Sequence, residues 1–383
     1  MGARIDGLAR IGAGQGVAGE SHGNEKGSSR WQRRGIVPPA TPRRSIAAYV
    51  AFANAASWPV GQPADSRAAR VSDTGTMAQS VTKAQRERWF TEGAAALRRT
   101  LSGMGMADSL PDSEFYACPL CLVAYGRDAF EAGVFTVEHV PPHSAGGDPL
   151  LLTCERCNST AGTAMDSHAA GREAVDDLFA GRSLRRALRA AFDVGGVMVY
   201  GNVNSENDAF MMNVVPKANN AKDVTAITET LKNWAAVGTG GRIGFKFREH
   251  VSPELARLSA VRAGYLAACA ALGWRYAFLE CLQPLREQLA EPDKAILPSL
   301  VFRDPAAEHG RHRLLVTEEP AEMRTLAVML GRYTVFLPRW DEPKSVEEIS
   351  AGLAWYDALP ASRKRCTRTE IPWPAYPQYK LDP

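Results

Sequence analysis

The sequence predicts a mixed α+β protein, with a small zinc-knuckle ββα unit followed by a separate C-terminal α+β domain. Three observations predict it. Apolar residues recur at helical spacing over 81–104 and 253–289, but alternate with a period of two between 196 and 215. Two C-x-x-C turns bracket a stretch punctuated by paired prolines and paired glycines. A length of 383 residues leaves room for two or three domains. The expected division is a disordered leader over 1–76, an N-terminal helix within 77–112 and the cysteine-bearing unit over 113–193. A C-terminal α+β domain over 194–360 and an irregular tail over 361–383 complete it.

Each element has its own warrant. Residues 1–76 are rich in Gly, Ala, Ser, Pro and Arg, without a sustained apolar period, as in an unfolded leader. Their Arg-rich, acid-poor character also fits a transit peptide, and Met77, where the composition changes, is a second candidate start. From Val81 to about Met104, Trp89, Phe90, Ala94, Leu97 and Leu101 fall on one helical face. Asp166 to Phe192 reads as one or two helices broken near Gly181. Gly196–Val203 and Ala209–Val215 read as a hairpin, and Arg242–Phe247 as a further strand. Pro253 opens a long helical stretch to about Leu289 with a break at Gly273, and Leu314–Thr317 and Tyr333–Leu337 are strand candidates.

Charge narrows the function. The net charge is +3, but residues 1–76 carry ten basic and five acidic residues. Residues 77–383 therefore hold 35 basic against 37 acidic residues, so any polyanion binding has to come from a local patch. The apolar stretch Ile46–Val60 is too short to span a bilayer, so no membrane association is expected. Seven cysteines, an odd number with four in C-x-x-C pairs, point to metal binding in a reducing compartment, with the cytoplasm as the default location.

Cys118, Cys121, Cys154 and Cys157 offer four soft thiolates, the donor set of a tetrahedral Zn²⁺. Four thiolates fill the coordination shell, so this zinc is expected to be structural. The 32 residues between the pairs hold a hairpin. Phe135–Val137 is β-prone and runs into Glu138-His139; Pro141-Pro142 end the strand; Gly146-Gly147 permit a tight turn. Leu150–Thr153 returns to the second knuckle, and Asn158 starts a helix.

This arrangement resembles the HNH, or ββα-metal, endonuclease family, in the subgroup with the pattern C-x-x-C, E-H-x-x-P, G-G, C-x-x-C-N-x-x-x-G. The matching residues are Cys118/Cys121, Glu138-His139 with Pro142, Gly146-Gly147, and Cys154/Cys157-Asn158 with Gly162. The match covers about residues 115–168. The resemblance implies a metal-dependent endonuclease acting on nucleic acid, double-stranded DNA by family analogy. His139 would be the general base, since a neutral imidazole takes a proton near pH 7. Glu138 and Asn158 would hold a catalytic Mg²⁺ or Mn²⁺ through hard oxygen ligands. Asn158 also suits a helix cap. The sequence departs from the family in two places. No asparagine lies between His139 and Asn158, which leaves Asp148 as the candidate to orient His139, and the carboxylate before the histidine is Glu rather than Asp.

Arg182, Arg185, Arg186 and Arg189 fall at i, i+3, i+4 and i+7. On a helix they would form one basic stripe, either for phosphate contacts or as a solvated face. The competing reading of the whole chain is a zinc-stabilised adaptor that binds nucleic acid or protein and has lost catalysis.

Overall fold

The computed structural model describes residues 81–382, apart from 181, 183, 185, 186, 207, 208, 238–242, 248–250, 305, 306 and 308–310. The expected leader over 1–76 lies outside the described residues. Runs of helices and runs of strands follow one another along the described residues, which makes the chain a mixed α+β protein.

In chain order the first elements are α1 (Lys83–Gly103), β1 (Phe115–Ala117), β2 (Ala124–Gly126), α2 (Arg127–Glu131), β3 (Phe135–Val140), β4 (Asp148–Cys154) and α3 (Glu155–Ala161). A π turn, Gly162–Asp166, leads from α3 into α4 (Ser167–Phe179). Next come β5 (Leu188–Val194), β6 (Val197–Glu206), β7 (Ala209–Val214), α5 (Ala221–Val237) and β8 (Ile243–Phe247). The last are α6 (Pro253–Leu272), α7 (Trp274–Ala277), α8 (Gln283–Ala290), β9 (Val301–Arg303), β10 (His312–Glu319), β11 (Leu326–Leu330), β12 (Tyr333–Leu337), α9 (Val346–Asp357) and β13 (Thr367–Ile371).

These elements form two compact units whose boundary differs from the expected one at 193/194. One is continuous, 178–248; the other joins 81–177 to 249–382. The cysteine unit and most of the expected C-terminal domain thus share one core. The apolar face of α1 explains its place in that core: Trp89, Phe90, Ala94, Leu97 and Leu101 are all buried there, and Thr82 caps the helix by accepting from the Gln85 amide at 3.1 Å. α6 is buried continuously from Ser259 to Leu272. It is the one described helix long and apolar enough to cross a membrane, and 83% of its apolar window is covered by protein. Burial all round is what a helix of that composition needs, and a core supplies it. Gly273, at φ +95°, ends it at the expected break.

A five-stranded antiparallel sheet, ordered β13-β10-β11-β12-β9, packs against α6. Its period-two pattern divides its side chains between two cores. Leu314, Val316, Val328 and Val335 join the core with α6, while Leu315, Ala327 and Phe336 join Val346 and Ile349 of α9. β13 lies in the segment expected to be an irregular tail, as an edge strand on β10.

The continuous unit carries a four-stranded antiparallel sheet, β7-β6-β5-β8, with α5. The hairpin expected between 196 and 215 is present as β6 and β7. The helix expected to reach Phe192 is not. β5 alternates instead, with Leu188, Ala190, Phe192 and Val194 buried and Arg189 and Asp193 exposed. Gly195 and Gly196, both at positive φ, close a two-residue turn between Val194 and Val197. Two central residues at positive φ are what such a hairpin turn requires.

Candidate metal centre and histidine site

The first knuckle hangs from the β1–β2 hairpin, where the Leu122 amide donates to the Cys118 carbonyl at 2.8 Å. The second is the end of β4, with Cys154 its last residue and Cys157 in the first turn of α3. The two meet because β3 and β4 pair in register and the Glu155 amide closes on the Val134 carbonyl at 2.8 Å. The sulfur atoms of Cys118, Cys121, Cys154 and Cys157 all lie within 4.8 Å of one another. A tetrahedral zinc with bonds of about 2.3 Å spaces its sulfurs about 3.8 Å apart. Cys121 and Cys154 stand at 3.9 Å, so this donor set fits the ion. Hydrogen bonds from Cys118, Cys121 and Cys157 pull the Cys154 thiol far below its ordinary range, while burial pushes Cys118 well above it. A divalent cation bound among the four would stabilise every sulfur as thiolate.

The paired glycines serve the hairpin tip. Gly146 sits at φ +84°, and a Cβ on Gly147 would overlap the Pro141 carbonyl oxygen. The first needs a left-handed backbone and the second a close approach, which only glycine allows. Between Glu138 and His139 the β3–β4 register slips, with Glu138 opposite Leu151 and His139 opposite Pro149. A bulge of this kind re-aims the side chains around it.

Glu138 and His139 have different surroundings. Glu138 is 3% exposed, and its Oε2 accepts from Thr153 Oγ1 at 3.2 Å and from the Arg262 guanidinium at short range. Arg262, on α6, is 1% exposed. Its guanidinium also reaches Asn158 Oδ1 at 3.4 Å and Asp166 Oδ2 at 3.6 Å. Asn158 donates to Thr136 Oγ1 at 2.9 Å, and Ser259 Oγ donates to Asp166 at 2.7 Å. Burial pushes the Glu138 and Asp166 carboxyls above their ordinary values, against the opposing pull of Arg262. Since arginine stays charged in proteins, the pocket always holds a cation of its own.

The oxygens expected to bind Mg²⁺ or Mn²⁺ therefore surround a guanidinium. A divalent ion does not fit between Glu138 and Asn158 while Arg262 holds both, because it would stand against a fixed positive charge in a buried site. Nor is Asn158 the cap of α3; it lies inside the helix and faces the pocket.

His139 is half-buried and meets His143 edge-on, with ring centroids 5.2 Å apart at 83°. Burial holds the His139 imidazole below its ordinary value of 6.5; His143 adds to that and Asp148 opposes it. Asp148 thus acts on His139 through its charge, which is a different role from the orienting one expected of it. Asp148 acts in the same way on His312, at the start of β10, whose ring packs on Trp373 at 5.2 Å.

The structure thus brings the four cysteines together, and brings Glu138 to Asn158, while His139 faces His143. The expected arginine stripe does not form as a helix face. Arg182 follows the end of α4 in irregular chain, Arg189 is exposed on β5, and Arg185 and Arg186 lie outside the described residues. Sequence reasoning missed Arg262 and Asp166. A charged residue in the middle of the apolar run of α6 was the available signal, because such a residue is almost never buried without a partner. No family model matches the chain, and neither does any curated protein or solved structure.

Proposed function

We propose that the protein is a zinc-stabilised endonuclease that hydrolyses phosphodiester bonds in nucleic acid, with DNA as the substrate suggested by the resemblance. The observation that carries this reading is the placement of His139. It is a half-buried imidazole kept below its ordinary pKa, at the end of a hairpin clamped between two cysteine knuckles. A histidine in that state is neutral at pH 7 and can take the proton of an attacking water. The cysteine cluster, loaded with zinc, supplies rigidity and no reacting group, since four sulfurs leave no open coordination position. The resemblance would add Mg²⁺ or Mn²⁺ at Glu138 and Asn158, but Arg262 weighs against those two residues as its ligands. The cytoplasm fits this reading, because a thiolate zinc site persists in a reducing compartment.

The test is nicking of supercoiled plasmid by zinc-loaded wild type and His139→Ala, with Mg²⁺ or Mn²⁺ added and withheld. Cleavage by wild type that falls at least a hundredfold in the variant is the expected result, in line with the contribution of a general base. Equal, background-level turnover of both would refute it. One observation favours a second reading. An arginine filling the expected cation pocket also suits a zinc-stabilised adaptor without catalysis. Retention of DNA or a partner protein by both forms, without cleavage by either, would identify that adaptor.

A further inference from the structure

We infer that the pocket formed by Glu138, Asn158 and Asp166 is not a divalent-cation site, and that Arg262 is its permanent counter-ion. Three features support this. First, the guanidinium engages all three groups at once, through contacts to Glu138, to Asn158 at 3.4 Å and to Asp166 at 3.6 Å. Second, the side chains of Arg262 and Glu138 are 2% and 4% exposed, so neither can be exchanged for a hydrated ion without opening the core. Third, Arg262 sits in mid-helix on α6 with Tyr265, whose hydroxyl donates to the Pro119 carbonyl of the first knuckle at 2.6 Å. The helix is thus tied to β3 through Arg262 and to the first knuckle through Tyr265.

Arg262 is accordingly a positioning residue. It joins β3, α3 and the π turn to α6. Mg²⁺ is a poor competitor for this place, because it gives up its water reluctantly and prefers octahedral oxygen coordination. The inference concerns occupancy of a pocket and stands whether or not the protein cleaves nucleic acid, so its test does not read cleavage.

The experiment uses zinc-loaded wild-type protein, ¹⁵N-labelled at arginine, titrated with Mn²⁺. Broadening of the Arg262 Nε–H signal no greater than that of the general surface is expected. Selective broadening of that signal at low Mn²⁺ would overturn the inference. A second arm follows free Mn²⁺ by electron paramagnetic resonance with wild type, Glu138→Gln, Arg262→Ala and Arg262→Ala/Glu138→Gln. Arg262→Ala should gain one Mn²⁺ site that wild type lacks and that the double variant loses again. A wild-type site abolished by Glu138→Gln alone would contradict the inference. Should Arg262→Ala fail to fold, the wild-type titration decides alone.

Discussion

Two clusters meet the β3–β4 hairpin, and they gather their donors with opposite chemistry. At the knuckles, four soft sulfurs from two short turns gather within 4.8 Å, a donor set that suits zinc. In the Glu138 pocket, hard oxygens from β3, α3 and the π turn gather around a guanidinium brought in from α6. The sulfur cluster needs an ion from outside, whereas the oxygen cluster carries its cation in the chain. The hairpin thus has beside it one cluster positioned to hold a metal ion and one built on a charge that no chelator removes.

The comparison can be broken at several points. The largest effect is expected at the sulfurs. Cys154→Ser, or zinc removal, should abolish the cooperative unfolding of the unit, because structural zinc contributes on the order of 10 kcal/mol in small zinc domains. Calorimetry before and after chelation checks this, and an unchanged transition would separate the sulfurs from stability. Next comes the oxygen pocket. Arg262→Ala should lose about 3–5 kcal/mol, the usual cost of stranding one buried charge. Glu138→Leu combined with Arg262→Met should recover much of that loss in denaturant titrations, since apolar replacements of a buried pair are often neutral.

At the hairpin tip, Gly147→Ala should cost about 1–3 kcal/mol, because the added methyl meets the Pro141 carbonyl. The same titrations measure it. The smallest effect is on pH dependence. Burial and His143 hold His139 below 6.5, so the acidic limb of the cleavage rate should lie below pH 6.5. His143→Ala should move that limb upward, and Asp148→Asn should move it downward. The linked stability has the same sign: a depressed histidine favours the fold above its ordinary pKa, and that contribution fades as pH falls through the depressed value.

The same contrast explains what was legible in the sequence. The zinc cluster was readable because its ligands come in C-x-x-C turns, where local spacing nearly fixes geometry. α1, the β6–β7 hairpin, α6 with its stop at Gly273, and β12 were readable for the same reason, each carrying its own period and punctuation. α9 was overlooked although Ser345 and Glu348 form a capping box ahead of it. β5 was misread as helix because Arg189 falls at a helical spacing from the arginines before the strand, while the decisive signal was the Gly195-Gly196 turn. The oxygen pocket was only half visible. Glu138 and Asn158 stood out as a pair, but Arg262 joins them from 124 residues beyond Glu138. No local pattern reports a contact of that range, and the sequence alone therefore invited a free divalent ion into the place the arginine holds.

Anomalous diffraction from crystals grown with both zinc and manganese, recorded at each metal's absorption edge, tests the two-cluster account most directly. One zinc peak is predicted, centred among Cys118, Cys121, Cys154 and Cys157, with Arg262 density filling the pocket beside Glu138. A manganese peak between Glu138 and Asn158, with Arg262 displaced, would contradict it.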